Sequence, residues 1–375
     1  MKRIVLCLDG TWNTVTKNAE ERAKPTNVVR FAQSVMPVAE GVPQIAYYNA
    51  GVGTDGPVDK VLGGVFGVGL KRNVQRAYMF AALNYQHGDE IYIFGFSRGA
   101  YTARAVAGII GRVGLVYPRH FDRFEDVWDN YRARKQTDLA DRTVPIKCVG
   151  VWDTVGSYGI PAGYGLAALA RMFTWRELHF HDTSLGHKID VGLHAMAIDE
   201  HRRPFAPTPW TQKIGEPLPG HQTCEQVWFA GAHSNVGGGY AQHGLSDVAM
   251  AWMMGRVMDL TGLRFDASLL KGEAKPDPLQ QPADSLSWFY LLSRCFPFNR
   301  PMLKPHALDI GLFRNREDPT RRVINEAVHW SVPKHLATGK YNPKNLPRPV
   351  PPEAVTRPSP AERAIWQALA RPLPD

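Results

Sequence analysis

Residues 90–104 read Glu-Ile-Tyr-Ile-Phe-Gly-Phe-Ser-Arg-Gly-Ala-Tyr-Thr-Ala-Arg, and their order decides what kind of sheet this chain builds. The run Glu90–Phe94 predicts a buried strand, and Ala100–Val113 predicts a helix rich in small residues. Between them, Gly95-Phe-Ser97-Arg-Gly99 sets a serine on a turn flanked two residues away on each side by glycine. G-x-S-x-G alone is a short pattern; its place between a strand and a small-residue helix gives it meaning. The glycines permit a tight, strained turn, and the alanines let the helix lie close to the sheet. The helix N-terminus then aims its N–H groups and positive dipole end at charge developing beside the serine. Ser97 is the candidate nucleophile, the Arg98 N–H a candidate oxyanion donor, and Gly95 and Gly99 shape the turn.

The same alternation of strand and helix patterns extends outward on both sides. Strands are expected at Ile4–Leu8, Gln44–Tyr48, Ile146–Trp152, Gly192–Ile198 and Gln226–Ala230. Helices are expected at Asn27–Val35, Lys71–Tyr85, Phe124–Lys135 and Leu245–Leu260. Several strands are apolar throughout, as strands covered on both faces must be. This predicts the α/β class: a mostly parallel sheet with helices on both faces. The pattern decays after residue 262, and prolines dominate from Pro343 onward. Residues 1–262 are therefore expected to form the catalytic core, 263–340 an irregular insertion or cap, and 341–375 a Pro-rich strap. A short helix at Ala361–Leu369 is expected to dock back.

A serine needs a base, and the base needs an orienting acid. In α/β-hydrolases these follow in the order Ser, Asp or Glu, His, each on a loop after a strand. His233 follows the strand Gln226–Ala230 in a loop loosened by Gly237, Gly238 and Gly239, the best placed of the thirteen histidines. For the acid, Asp153 leaves the end of Ile146–Trp152, beside Thr154 and Ser157. Asp199 ends another strand and is the rival, with a brace to Arg202 or Arg203 as its other reading. Asp153 is favoured. No metal is required, and no H-E-x-x-H or similar ligand spacing occurs.

The first strand ends in Asp9-Gly-Thr-Trp-Asn. Aspartate phosphatases begin similarly, but the position of their nucleophile holds Cys7 here. The stretch reads better as the wall beside the serine turn. Gly10 or Thr11 would offer the second oxyanion N–H, and Asp9 would brace the loop. Two stretches, 63–70 and the uncharged 155–170, could form an apolar mouth or lid, or simply pack on the sheet.

A chain of 375 residues with 44% hydrophobic and 21% charged content can bury a large core. Its net charge is +9, which suits peripheral contact with an anionic membrane, yet no recognised nucleic-acid module appears and nucleic-acid binding is disfavoured. Cys7, Cys148, Cys224 and Cys295 are widely spaced, as buried thiols in a reducing compartment would be. The apolar run after Met1-Lys2-Arg3 is too short for a secretory signal, and no uncharged run is built to span a bilayer. A cytoplasmic location is expected from these absences, although export by a contact-dependent machine needs no signal peptide. Oligomeric state is not readable.

The motifs Asp9-Gly-Thr-Trp-Asn, Gly95-Phe-Ser-Arg-Gly-Ala-Tyr-Thr-Ala-Arg, Val151-Trp-Asp-Thr-Val-Gly, Ala197-Ile-Asp-Glu and His233-Ser-Asn-Val-Gly-Gly-Gly-Tyr occur in that order. Together they resemble an uncharacterised α/β-hydrolase domain family that includes bacterial type VI secretion phospholipase effectors. The resemblance covers about residues 2–260 and is weaker around Val328-His-Trp-Ser-Val. It implies a cofactor-free Ser97–Asp153–His233 triad acting on lipid or other esters, with export by a type VI-like machine. One departure is Asn235, where an acidic residue is expected. The rival classes are a small-ester or thioester hydrolase, a catalytically silent interaction module, and a phosphatase built on Asp9.

Overall fold

The computed structural model describes residues 1–10, 25–51, 65–141, 143–155, 183–284, 298–310 and 315–369. Among them, eight strands form one sheet: β1 (Arg3–Leu8), β2 (Val38–Ala39), β3 (Val42–Asn49), β4 (Glu90–Phe96), β5 (Ile146–Trp152), β6 (Ile189–Ala197), β7 (Thr223–Phe229) and β8 (Glu326–Val328). Their spatial order is β8-β7-β6-β5-β4-β1-β3-β2, with every pairing parallel except β2 with β3. The fold is the expected α/β-hydrolase-like one, a mostly parallel sheet clad in helices.

Both faces of the sheet are buried, which is why its central strands lack the polar alternation of a half-exposed sheet. On one face, Ile4, Leu6, Leu8, Ile91 and Ile93 meet α2 (Val65–Asn84) and α3 (Arg98–Arg112) through Val74, Ala77, Ala103 and Val106. On the other, Val5, Cys7, Tyr92, Phe94 and Trp152 meet Phe31 of α1 (Asn27–Ser34) and a row of residues centred on Trp252. The intervening helix α4 (Phe124–Ala133) closes over the first face through Phe124 and Val127. Cys7, Cys148 and Cys224 are buried free thiols, and burial pushes each of them up. Cys295 lies outside the described residues.

The parallel register brings the strand ends together. Leu8 pairs with Gly95, Phe96 with Trp152, Trp152 with Ala195, and Ala197 with Phe229. The residues just beyond these ends, Asp9, Ser97, Asp153 and the loop leading to His233, therefore share the carboxyl edge of the sheet, where open α/β sheets hold their ligands.

Two features depart from the sequence reading. Strand β8 comes from the stretch read as irregular. Three residues are too few to show a period, and the strand is secured by partners distant in sequence: Trp228 Nε1 donates to Glu326 Oε1 at 2.6 Å, and Asn325 Nδ2 to Cys224 O at 3.0 Å. The helix expected from Lys71 already begins at Val65, so the candidate mouth is helical from that residue on. Residues 156–170 of the candidate lid lie outside the described residues. Beyond the sheet come α5 (His233–Gly237), α6 (Gly244–Leu260), α7 (Ser331–Ala337) and α8 (Pro360–Ala368). Helix α8, capped by Ser359 accepting from the Glu362 N–H at 3.1 Å, docks on α6 so closely that a Cβ at Gly255 would lie 2.7 Å from Glu362 Cα. No described helix is long and apolar enough to cross a membrane.

Candidate active site

Ser97 has φ 59° and ψ −120°, a conformation L-residues seldom adopt, at the junction of β4 and α3. Its backbone is held there by its N–H donating to Trp152 O at 3.0 Å and its carbonyl accepting from the Tyr101 N–H at 3.2 Å. Its hydroxyl makes no capping bond to the helix. The flanking glycines have steric reasons. A Cβ at Gly95 would lie 2.4 Å from Gly99 O, and one at Gly99 would lie 2.0 Å from Leu8 O. Strand β1 thus ends directly against the first turn of α3. Gly99→Ala is expected to destabilise the protein by about 3 kcal/mol, at the upper end of overpacking costs, and to reduce activity per folded molecule. Urea denaturation and a rate measurement on the same preparation check both.

Asp153 leaves β5 with φ 41° and is fully buried. Its N–H donates to Ala195 O at 2.7 Å, and its Oδ1 accepts from the Ala197 N–H at 3.0 Å. Its Oδ2 lies 2.5 Å from His233 Nδ1. Arg300, also fully buried, grips both carboxylate oxygens, Nη1 to Oδ1 at 2.5 Å and Nη2 to Oδ2 at 2.9 Å. Burial alone would raise the Asp153 carboxyl, but Arg300 and His233 outweigh it and hold the group well below the usual carboxylate range. Next to it, the Thr154 N–H donates to His194 Nε2 at 3.1 Å. That bond assigns the His194 proton to Nδ1, facing Gln226 Oε1 at 3.3 Å. Burial and the Arg104 charge push His194 down to about 3, so it serves as a neutral prop.

His233 opens α5, with its imidazole between two aromatic rings: Phe96 at 4.6 Å and Phe205, edge-on, at 5.0 Å. Phe96 immediately precedes Ser97, so the imidazole stands beside the serine turn. A carboxylate bonded to Nδ1 leaves Nε2 as the basic nitrogen. The backbone N–H of His233 faces Glu200 Oε2 at 3.4 Å, and Glu200 is itself forked to Arg202, Oε1 to Nε at 2.8 Å and Oε2 to Nη2 at 2.7 Å. Asn235 holds the turn through its Oδ1, which accepts from the N–H groups of Ala232 at 3.1 Å and Ala283 at 3.0 Å. A neutral amide suffices for that capping role.

The rival acid, Asp199, is elsewhere engaged. Its Oδ2 accepts from the Gly231 N–H at 2.7 Å and from Tyr341 Oη at 2.8 Å. Burial raises its carboxyl despite these two bonds. Of the two arginines read as its alternative brace, Arg202 forks onto Glu200.

Asp9 braces its own loop. Oδ1 accepts from the Gly10 N–H at 2.7 Å, and Oδ2 accepts from Thr26 Oγ1 at 2.6 Å and Tyr48 Oη at 2.9 Å. Burial and the Asp9 charge push the Tyr48 phenol up, keeping it a donor. The Gly10 N–H is therefore corrected from a candidate oxyanion donor to part of this brace, because an Asp side chain readily closes on the next residues' N–H groups. Thr11 lies outside the described residues. The Arg98 N–H occupies the first position of α3, where no intrahelical acceptor exists. Among the described residues, no group of three His, Cys, Asp or Glu side chains is arranged to hold a metal ion. The sequence offered no signal for Arg300, and it marked Glu200 only as the last residue of Ala197-Ile-Asp-Glu, with no role attached.

The family described as "T6SS, Phospholipase effector Tle1-like, catalytic domain" has a model that matches residues 2–256. The chain belongs to this family. Ser97, Asp153 and His233 fall within the matched span, and Arg300 falls beyond it. The uncharacterized protein YEL023C of Saccharomyces cerevisiae is 28% identical over 254 residues, covering 57% of this chain and 34% of the yeast protein. The chain thus spans about a third of the length of the curated relative it matches. Among solved structures, an uncharacterized protein from Pseudomonas aeruginosa superposes with TM-score 0.45 at 19% identity, over 71% of this chain and 46% of that one. The Tle1 effector bound to the VgrG spike gives TM-score 0.34 at 17% identity, over 64% and 51%. Apo Thermogutta terrifontis esterase 2 gives 0.34 at 14% identity, over 70% and 85%.

Proposed function

We propose that this protein is a serine ester hydrolase that cleaves acyl esters of lipids, most fittingly phospholipids, through Ser97, His233 and Asp153. The observation that carries the reading is the 2.5 Å contact of His233 Nδ1 with buried Asp153, beside a serine held at φ 59°. In the acylation step His233 Nε2 takes the Ser97 proton as Oγ attacks the ester carbonyl. The Arg98 N–H and the dipole of α3 stabilise the oxyanion. Collapse of the tetrahedral intermediate returns that proton to the leaving alcohol, and water, deprotonated by His233, then releases the acyl group. Asp153 fixes the imidazole tautomer and stabilises the imidazolium. Asp9 has both carboxylate oxygens committed to its loop, which counts against a phosphatase centred there. Family membership supports lipid as the substrate class and delivery by a type VI machine, and the +9 charge favours anionic headgroups.

The test is hydrolysis by the purified protein of phosphatidylglycerol and phosphatidylcholine vesicles, p-nitrophenyl esters of short and long acyl chains, and p-nitrophenyl phosphate. Long-chain esters and vesicles should be cleaved, with anionic vesicles favoured by at least about tenfold at low salt. A preference for short soluble esters would reject the lipid assignment and leave the esterase one. Hydrolysis of the phosphate retained in Ser97→Ala would support Asp9 chemistry, and no hydrolysis of any substrate would point to a silent module.

A further inference from the structure

We infer that Arg300, from outside the matched catalytic domain, is a positioning residue that works through Asp153. The inference rests on the triad reading above and extends it to the C-terminal part of the chain. The geometry is specific. Both Nη groups of Arg300 engage the carboxylate, and each has a second acceptor: Nη1 donates to Ala197 O at 2.9 Å and Nη2 to Phe205 O at 2.5 Å. The guanidinium is thereby fixed to the end of β6 and to the segment that carries Phe205, which also packs on His233. Its backbone is tied in as well. Asn345 Nδ2 donates to Arg300 O at 3.2 Å and to Ile198 O at 3.1 Å, and the Phe298 N–H donates to His201 O at 3.0 Å.

A carboxylate turns readily about its last side-chain bond, since that torsion is broad and two-fold. One imidazole N–H and one backbone N–H leave the Asp153 plane incompletely defined. A planar guanidinium bonded to both oxygens removes that freedom, because the fork matches the carboxylate and holds the two groups coplanar. Oδ2 is then kept at the one position from which it meets His233 Nδ1. The charge serves the same end. A fully buried carboxylate facing only a neutral imidazole would tend to take up a proton. A permanent cation beside it keeps Asp153 ionised and able to accept the Nδ1–H. Lysine would keep the charge and lose the fork.

The experiment is a kinetic cycle on the full chain with the ester the enzyme cleaves best: wild type, Arg300→Lys, Arg300→Met, Asp153→Asn, and Asp153→Asn with Arg300→Met. Arg300→Met should lower kcat about 100-fold with KM within about twofold, the size of effect expected when a catalytic group is slightly misplaced. Arg300→Lys should recover about tenfold of that loss. In the Asp153→Asn background, Arg300→Met should cause no further loss, because a residue acting through Asp153 has nothing left to position. Folded Arg300→Met with wild-type kcat, or a loss that multiplies in the double variant, overturns the inference. If Arg300→Met does not fold, Arg300→Lys and the double variant, in which no buried charge of the pair is left alone, decide it. Arg300→Lys at wild-type kcat, or a double variant less active than Asp153→Asn, then overturns it. The failures are separable: wild-type activity in Asp153→Asn sinks the triad itself, whereas an inactive Asp153→Asn beside a fully active Arg300→Met sinks only the role of Arg300.

Discussion

Ser97→Ala should lower kcat for ester hydrolysis by about a million-fold, to the residual rate that the oxyanion donor and substrate binding supply without a nucleophile. The loss should be in kcat, with KM little changed, because Ser97 is a small, largely buried residue of the turn and adds little ground-state binding. His233→Ala should fall to a similar floor, and the double variant should be no worse. Members of one relay act as a unit, so their losses do not multiply. The fold should tolerate Ser97→Ala well, since the hydroxyl makes no capping bond that alanine would forfeit. Steady-state rates with a matched thermal melt check all of this in one series.

Asp153→Asn should cost about 10,000-fold in kcat and also destabilise the protein. The catalytic loss follows from the tautomer. An amide nitrogen facing His233 Nδ1 would turn the imidazole proton toward Ser97, where a lone pair is needed. The loss of stability follows from Arg300, which would be left fully buried opposite a neutral amide, an arrangement that costs about 3–5 kcal/mol. The pH dependence has a definite sign. The folded-state carboxyl lies below its ordinary value of 3.8, so its ionised form stabilises the native state. That contribution is complete above pH 3.8 and is lost as the pH falls below it. Wild type should therefore show a steeper fall of stability with acidification below that point than Asp153→Asn. Urea midpoints measured across the acidic range would reveal the difference, and parallel curves would argue against the Arg300–His233 clamp on this carboxyl.

Much of this arrangement was legible in the letters, and for physical reasons. Ser97, Asp153 and His233 each follow a buried strand, and a parallel sheet brings its strand ends to one edge. Finding the strands therefore located the edge that gathers the candidate residues. The elbow was legible because sterics leave only glycine at positions 95 and 99. Arg300 was illegible because its partner is 147 residues away and its own stretch, Asn299-Arg300-Pro301, has no periodicity to mark it as buried. Tyr341, which donates to Asp199, is 142 residues from it. The Gly10 N–H was misread because sequence names the residue near an oxyanion but not the acceptor that its own neighbour provides. Strand β8 escaped because a three-residue edge strand carries too few positions to alternate.

The most direct test of the central claim is to treat the native protein with a fluorophosphonate, digest it, and locate the adduct by mass spectrometry. A stoichiometric adduct on the peptide containing Ser97, absent from Ser97→Ala and strongly slowed in His233→Ala, is the predicted result. No adduct on folded wild type, or an adduct at another serine that persists in Ser97→Ala, would contradict the account.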